Sequence, residues 1–166
     1  MSLAIVPGSF DPMTLGHLDI VERAAKHYDE VVVAVMINAE KSYLFDMDAR
    51  VEIARRTVSA LPNVRVISDS GMLIDLFDRL GADAVCKGVR NDADRAYEEK
   101  MAAWNAAHNP RFHTEMLPAN EAYGTLSSTQ VRAFLQEGKS LVGLIHPAAM
   151  PLVLQKNEKG GRSDEA

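Results

Sequence analysis

The chain is poor in cysteine: one in 166 residues, Cys86, so no internal disulfide can form. This suits a reducing, cytoplasmic setting. No apolar run approaches the roughly 20 residues that span a bilayer. The first residues run straight into a strand-like segment, with neither the basic region nor the apolar region of a secretory leader. Basic charge is also scarce: 18 Lys and Arg stand against 23 Asp and Glu, a net charge of −5. Neither a membrane nor a nucleic acid is therefore an expected partner. There is no Walker A sequence and no G-x-G-x-x-G. His27, His108, His113 and His146 lack metal-ligand spacing, so no structural zinc and no protein metal site are expected.

What is present is an ordinary globular composition, 47% hydrophobic and 25% charged. One domain is expected over residues 1–155, followed by a polar, loose tail over 156–166. Leu3–Val6, Val31–Ile37, Val64–Ile67, Ala84–Lys87 and, more weakly, Phe112–Leu117 read as strands. The second is Val-Val-Val-Ala-Val-Met-Ile, a continuous apolar run of the kind that parallel strands covered on both faces carry. Helical patterns fill the gaps: Gly16–His27, Met47–Leu61, Leu73–Leu80 and Asp94–His108. Ser127–Glu137 and Ala148–Gln155 follow after the alternation ends. Asp46 fits an N-cap and Gly81 a C-cap. Such alternation predicts a doubly wound, Rossmann-like α/β fold: a parallel five-stranded sheet of order 3-2-1-4-5, helices on both faces and a C-terminal helical segment. Ligands then bind beyond the carboxyl ends of the strands, where strand order reverses. That rule brings the loop after the first strand (Ser9, His17) beside the loop after the fourth (Lys87, Gly88, Arg90).

The most informative stretch is Pro7-Gly8-Ser9-Phe10-Asp11-Pro12-Met13-Thr14-Leu15-Gly16-His17. It is a strand, a glycine-punctuated turn and a helix start, and it brings N–H groups, hydroxyls and an imidazole to a helix N-terminus, where anions are favoured. Gly16 allows close approach of a phosphate to the backbone. A second block runs Cys86-Lys87-Gly88-Val89-Arg90-Asn91-Asp92-Ala93-Asp94, then Tyr97-Glu98. A lysine at a buried strand end needs a partner, and phosphate is a suitable one. Arg90 offers a planar fork of donors, which Asp94 is placed to orient. Cys86 reads as a small buried hydrophobe, and Met101 and Trp104 as packing on the sheet or on a neighbouring subunit. The third block, Tyr123-Gly124-Thr125-Leu126-Ser127-Ser128-Thr129, reads as an N-capped helix and hence also as an anion site.

The first stretch resembles the T-x-G-H signature of the nucleotidyltransferase superfamily. Within it, P-G-S-F-D-P-x-T-x-G-H-x-D is the pattern of phosphopantetheine adenylyltransferases. The second block resembles that family's (K/R)-G-(L/V)-R-x-x-x-D-x-x-Y-E, and the third the superfamily's I-S-S-(S/T)-x-x-(R/K). The resemblance spans roughly residues 3–155. It departs at Arg95-Ala96, at Thr125 and at Arg132, which touches adenine-pocket detail rather than reaction class.

The resemblance implies an enzyme that moves AMP from ATP to 4′-phosphopantetheine, giving dephospho-CoA and pyrophosphate, by in-line attack without a covalent intermediate. It implies His17 as transition-state stabiliser, with Lys41 and Arg90 also catalytic. Ser9, Lys41 and Lys87 would hold the acceptor phosphate, and Leu73 the pantetheine arm. ATP would meet Ser9, Phe10, His17, Gly88, Val89, Arg90, Glu98, Tyr123, Gly124, Thr125, Leu126, Ser127, Ser128 and Thr129. Mg²⁺ would arrive with ATP, coenzyme A would act as feedback inhibitor, and the assembly would be a homohexamer. The other readings are a different T-x-G-H transferase, acting on nicotinate mononucleotide or glycerol phosphate, and a non-catalytic nucleotide-binding module.

Overall fold

A computed structural model describes residues 1–156. The expected tail lies, beyond Lys156, outside the described residues. Five parallel strands form one sheet: β1 (Leu3–Gly8), β2 (Glu30–Met36), β3 (Val64–Asp69), β4 (Ala84–Val89) and β5 (Thr114–Pro118). Their order is β3-β2-β1-β4-β5, as the alternating pattern predicts. Between them run α1 (Leu15–His27), α2 (Met47–Thr57), α3 (Leu73–Leu80) and α4 (Asp92–His108). A 3₁₀ turn over Glu121–Tyr123, which the sequence did not suggest, leads to α5 (Ser128–Gln136). A last helical segment covers residues 150–156.

Strand alternation divides the core between the two faces. On one, Val6, Val31, Val33 and Val35 pack against Val21 and Ala24 of α1, Ile53 and Ala54 of α2, Val131 and Leu135 of α5, and Ile145 and Val153 of the C-terminal segment. On the other, Ile5, Ala34 and Val85 meet Leu76 and Phe77 of α3 and Phe112. Every β2 residue from Val31 to Val35 is fully buried, which explains its unbroken apolar run.

Local chemistry sets the boundaries. Asp46 caps α2, accepting the Ala49 N–H at 2.8 Å, and Gly81 ends α3 in the left-handed region at φ 64°. Helix α2 stops at Thr57, one turn short of the Leu61 that its periodicity suggests. Helix α4 starts two residues earlier than its pattern suggests, because Asn91 caps it through the Asp94 N–H. One irregularity shapes the site. β1 and β2 pair in register over six residues, but β1 and β4 pair only at Ala4–Ala84 and Ile5–Val85. Beyond that point the two central strands part, and Pro7 has no N–H to offer a ladder. The gap lies at the carboxyl ends, where strand order reverses.

Candidate active site

An open cleft of about 460 Å³ occupies that gap. Its floor is the parted backbone of β1 and β4 (Val6, Pro7, Gly8, Cys86, Lys87, Gly88), and its walls are the start of α1, the 39–45 loop, α4 and the start of α5. The three sequence blocks therefore meet at one rim. Ser9, Phe10 and His17 line it from the first, Lys87, Gly88, Arg90 and Glu98 from the second, and Tyr123, Leu126, Ser127, Ser128 and Thr129 from the third. Lys41 joins from the loop after β2.

Thr14 is the N-cap of α1, and residue N3 is His17. Together they form a capping box in which a histidine stands where glutamate or glutamine is usual. The Thr14 N–H donates to His17 Nδ1 at 2.9 Å. Nδ1 is therefore an acceptor, and the ring proton sits on Nε2. Burial, with the charges of Arg90 and Lys87 adding to it, pushes the imidazole down to about 4. His17 is thus a neutral hydrogen-bond donor at physiological pH. Phe10 meets it edge-on, ring centroids 5.1 Å apart.

The cations come with partners. Arg90 Nε donates to Asp94 Oδ2 at 3.0 Å, and Arg90 Nη1 to the Leu126 carbonyl at 3.3 Å, so the fork is held between α4 and the α5 entry. Lys87 Nζ lies 3.4 Å from Glu98 Oε1. Glu98, expected against nucleotide, is thus engaged with a lysine. Lys41 is exposed at the cleft mouth.

The serines divide their work. Ser127 caps α5, accepting the Gln130 N–H at 3.1 Å. Ser128 Oγ donates to the Pro12 carbonyl at 2.7 Å and ties α5 to the loop after β1. Arg132 reinforces that tie, donating to the Asp11 carbonyl at 2.8 Å. The Asp11 carboxylate in turn accepts the N–H groups of Leu44 and Phe45, both at 2.9 Å. Loops after β1 and β2 and the start of α5 are stitched into one frame.

Some expected residues stand elsewhere. Leu73 lines not this cleft but a smaller one of about 90 Å³, floored by Val85 and Phe112 and closed by Met101 and Asn105. Lys87, Tyr97 and Glu98 border both cavities. Val89, Gly124 and Thr125 are outside the lining of either; Val89 is buried. At Gly88, which lines the cleft, a Cβ would come within 2.9 Å of Ile20 Cγ1, so its absence lets α1 close onto β4. At Gly16 a Cβ would meet Tyr123 Cβ and Thr14 Oγ1 at 3.4 Å. Cys86 is buried, and desolvation, helped by Glu115, pushes its thiol up to about 12. Trp104 is 43% exposed and stacks on His108 at 3.8 Å instead of packing on the sheet.

Sequence reasoning passed over Arg50, Asn105 and the bracing role of Arg132. Arg50 carried a readable signal, since it lies on the buried stripe 50-53-54-57 of α2. Asn105 had one too, seven residues after Glu98 on the same helix. Among the described residues, no group of three or more His, Cys, Asp or Glu is placed to hold a metal ion. The cleft carboxylates Asp94 and Glu98 already face Arg90 and Lys87. No helix among them is long and apolar enough to cross a membrane.

Comparison with known proteins agrees with this geometry. The cytidylyltransferase-like family model matches residues 5–134. A solved structure described as a putative nicotinate-nucleotide adenylyltransferase from Vibrio parahaemolyticus superposes with a TM-score of 0.76 over 95% of this chain and 94% of its own, at 21% identity, which speaks to the fold alone. The phosphopantetheine adenylyltransferase of Heliobacterium modesticaldum is 42% identical over 94% of this chain and 93% of its own. That of Clostridium kluyveri is 39% identical over 96% and 97%. With its three sequence blocks gathered at one cleft and likeness of this extent, the chain belongs to the phosphopantetheine adenylyltransferase family of the cytidylyltransferase-like nucleotidyltransferases.

Proposed function

We propose that the cleft transfers AMP from ATP to 4′-phosphopantetheine, within one nucleotidyltransferase domain over residues 1–155. An acceptor phosphate oxygen attacks the α-phosphorus of ATP. The bond from that phosphorus to the bridging oxygen breaks, and pyrophosphate leaves on the opposite side, giving dephospho-CoA. The acceptor is already an anion, so no general base is required. The work left is positioning and neutralising charge on a crowded phosphorus.

The placement of the side chains supports the following roles. Ser9, Lys41 and Lys87 take the acceptor phosphate. The small cavity beside Leu73 takes the pantetheine arm, because Lys87, Tyr97 and Glu98 border both spaces. The His17 Nε2–H faces the α-phosphoryl oxygens. Arg90 and the N-terminus of α5, with Ser127, Ser128 and Thr129, take the β and γ phosphates. Mg²⁺ enters as part of the MgATP substrate. Coenzyme A carries the same arm and the same adenosine end as the product, and competes for the site. An apolar stripe on α4, with Tyr97 62%, Met101 40% and Trp104 43% exposed, suits subunit contact in a homohexamer. The cytoplasm is the proposed location.

The observation that carries this reading is the convergence of His17, Lys87, Arg90 and the α5 N-terminus on one gap between parted strands. The test is pyrophosphate release with ATP and 4′-phosphopantetheine, run beside nicotinate mononucleotide with ATP and glycerol phosphate with CTP. Turnover with the first pair alone is expected. Preference for another acceptor, or calorimetric ATP binding with no turnover, would overturn it.

A further inference from the structure

We propose that Arg50 is a positioning residue of this site: it aims the Phe10 N–H into the cleft as a phosphoryl donor and holds the Lys41 loop beside it. The proposal rests on the adenylyl-transfer reading above.

Arg50 is a cation buried to 2% exposure, and no carboxylate among the described residues lies within ion-pair distance. Its Nε has no acceptor there either. A buried charge in that state is costly, so packing alone does not account for it. What it does hold is two carbonyls at the carboxyl ends of β1 and β2. Nη1 donates to Ser9 O at 2.9 Å and to Met36 O at 3.2 Å.

The bond to Ser9 O has a consequence across the peptide. In a trans peptide the C=O and the following N–H point in opposite directions. With Ser9 O drawn toward Arg50, which stands outside the cleft lining, the Phe10 N–H faces the side that Ser9 and Phe10 present to the cleft. That N–H has no acceptor among the described residues. Phe10 pays for this orientation with φ 47°, a left-handed conformation rare for an aromatic residue. The surroundings enforce it: the ring lies over Gly8, where a Cβ would come within 2.9 Å of Phe10 Cζ.

The same guanidinium reaches the acceptor side. Its Cζ stacks 3.9 Å from the centre of the Tyr43 ring. The Tyr43 hydroxyl accepts the Asn38 N–H at 2.7 Å, and the Asn38 carbonyl accepts the Lys41 N–H at 3.0 Å. One buried cation therefore sets two cleft elements that belong to different loops.

The experiment compares wild type with Arg50→Met, Arg50→Lys and Arg50→Ala. With ATP and 4′-phosphopantetheine, Arg50→Met should lose about 10²-fold in kcat, the scale of one lost transition-state donor, while the KM for ATP moves by less than about threefold. Arg50→Lys should recover part of the loss, and millimolar guanidinium should raise the kcat of Arg50→Ala at least about tenfold. A kcat for Arg50→Met within threefold of wild type, or Arg50→Ala unmoved by guanidinium, overturns the proposal. A second readout is independent of turnover and of how Arg50→Met folds. In protein labelled with ¹⁵N-phenylalanine, five amide signals are followed while α,β-methylene-ATP is added. The Phe10 signal should move in wild type and by less than half as much in Arg50→Lys. No movement in wild type, or equal movement in both, overturns the proposal. Failure of the wild type to release pyrophosphate would instead count against the adenylyl-transfer reading, and the amide titration would still judge Arg50.

Discussion

Substituting His17 by glutamine should separate its two roles. Glutamine at N3 completes the same capping box with Thr14 that the imidazole completes now, so the start of α1 keeps its cap. What disappears is a titrating group. The wild-type imidazole falls from its ordinary 6.5 to about 4, chiefly through burial, with Arg90 and Lys87 adding to it. At about 1.4 kcal/mol per pH unit, that gap corresponds to about 3 kcal/mol, and solvent in the open cleft trims it to about 2–3. The sign follows from proton binding. Above 6.5 the ring is neutral in both states and its contribution is fully present. As pH falls from 6.5 toward 4 the unfolded chain takes up a proton that the folded chain refuses, and stability drains away. Urea denaturation at pH 7 should find wild type and His17→Gln within about 1 kcal/mol. At pH 4.5 the difference between them should have shifted by about 2 kcal/mol in favour of the variant. Because every other titratable group is present in both proteins, the difference isolates residue 17. Meanwhile kcat at pH 7.5 should drop about 10²–10³-fold, since the imidazole Nε2–H is replaced by an amide of shorter reach whose oxygen is held by the Thr14 N–H. Parallel stability curves from pH 7 to 4.5, or ¹⁵N shifts placing the wild-type proton on Nδ1, would refute the reasoning.

Other outcomes follow from single contacts. Gly88→Ala pushes a Cβ to 2.9 Å from Ile20 Cγ1 and should cost about 1–3 kcal/mol in urea denaturation, less than additively when combined with Ile20→Ala. Ser128→Ala removes the bond to the Pro12 carbonyl and should cost about 1 kcal/mol by the same measurement; no loss would remove that bond from the frame of the site. The Cys86 thiol, buried and pushed up to about 12, should stay unmodified by an aromatic disulfide reagent at pH 8 in the native protein and react fully in denaturant. Rapid native modification would contradict its burial.

Much of this was legible in the sequence, for reasons that differ by element. β2 announced itself because both its faces are covered, leaving no polar residue to interrupt Val31–Val35. The strand order followed from alternation and right-handed crossovers, and that order alone predicted where His17 and Arg90 meet. The 3₁₀ turn at Glu121–Tyr123 was not legible, since three residues carry no period. Nor was the double allegiance of Ser128, whose partner Pro12 is 116 residues away. Gly88 shows a subtler limit: its contact with Ile20, which leaves no room for a Cβ, is one that only packing reveals. Arg50 was overlooked because an arginine in an otherwise charged helix reads as solvated until the helix face is plotted.

The parting of β1 and β4 after only two residue pairs has a broader bearing. A cavity made by diverging main chains is walled by backbone, so one side-chain substitution cannot close it. Redesign of acceptor choice in this chain is best aimed at the flanking loops, with the split in the sheet kept as a fixed anvil.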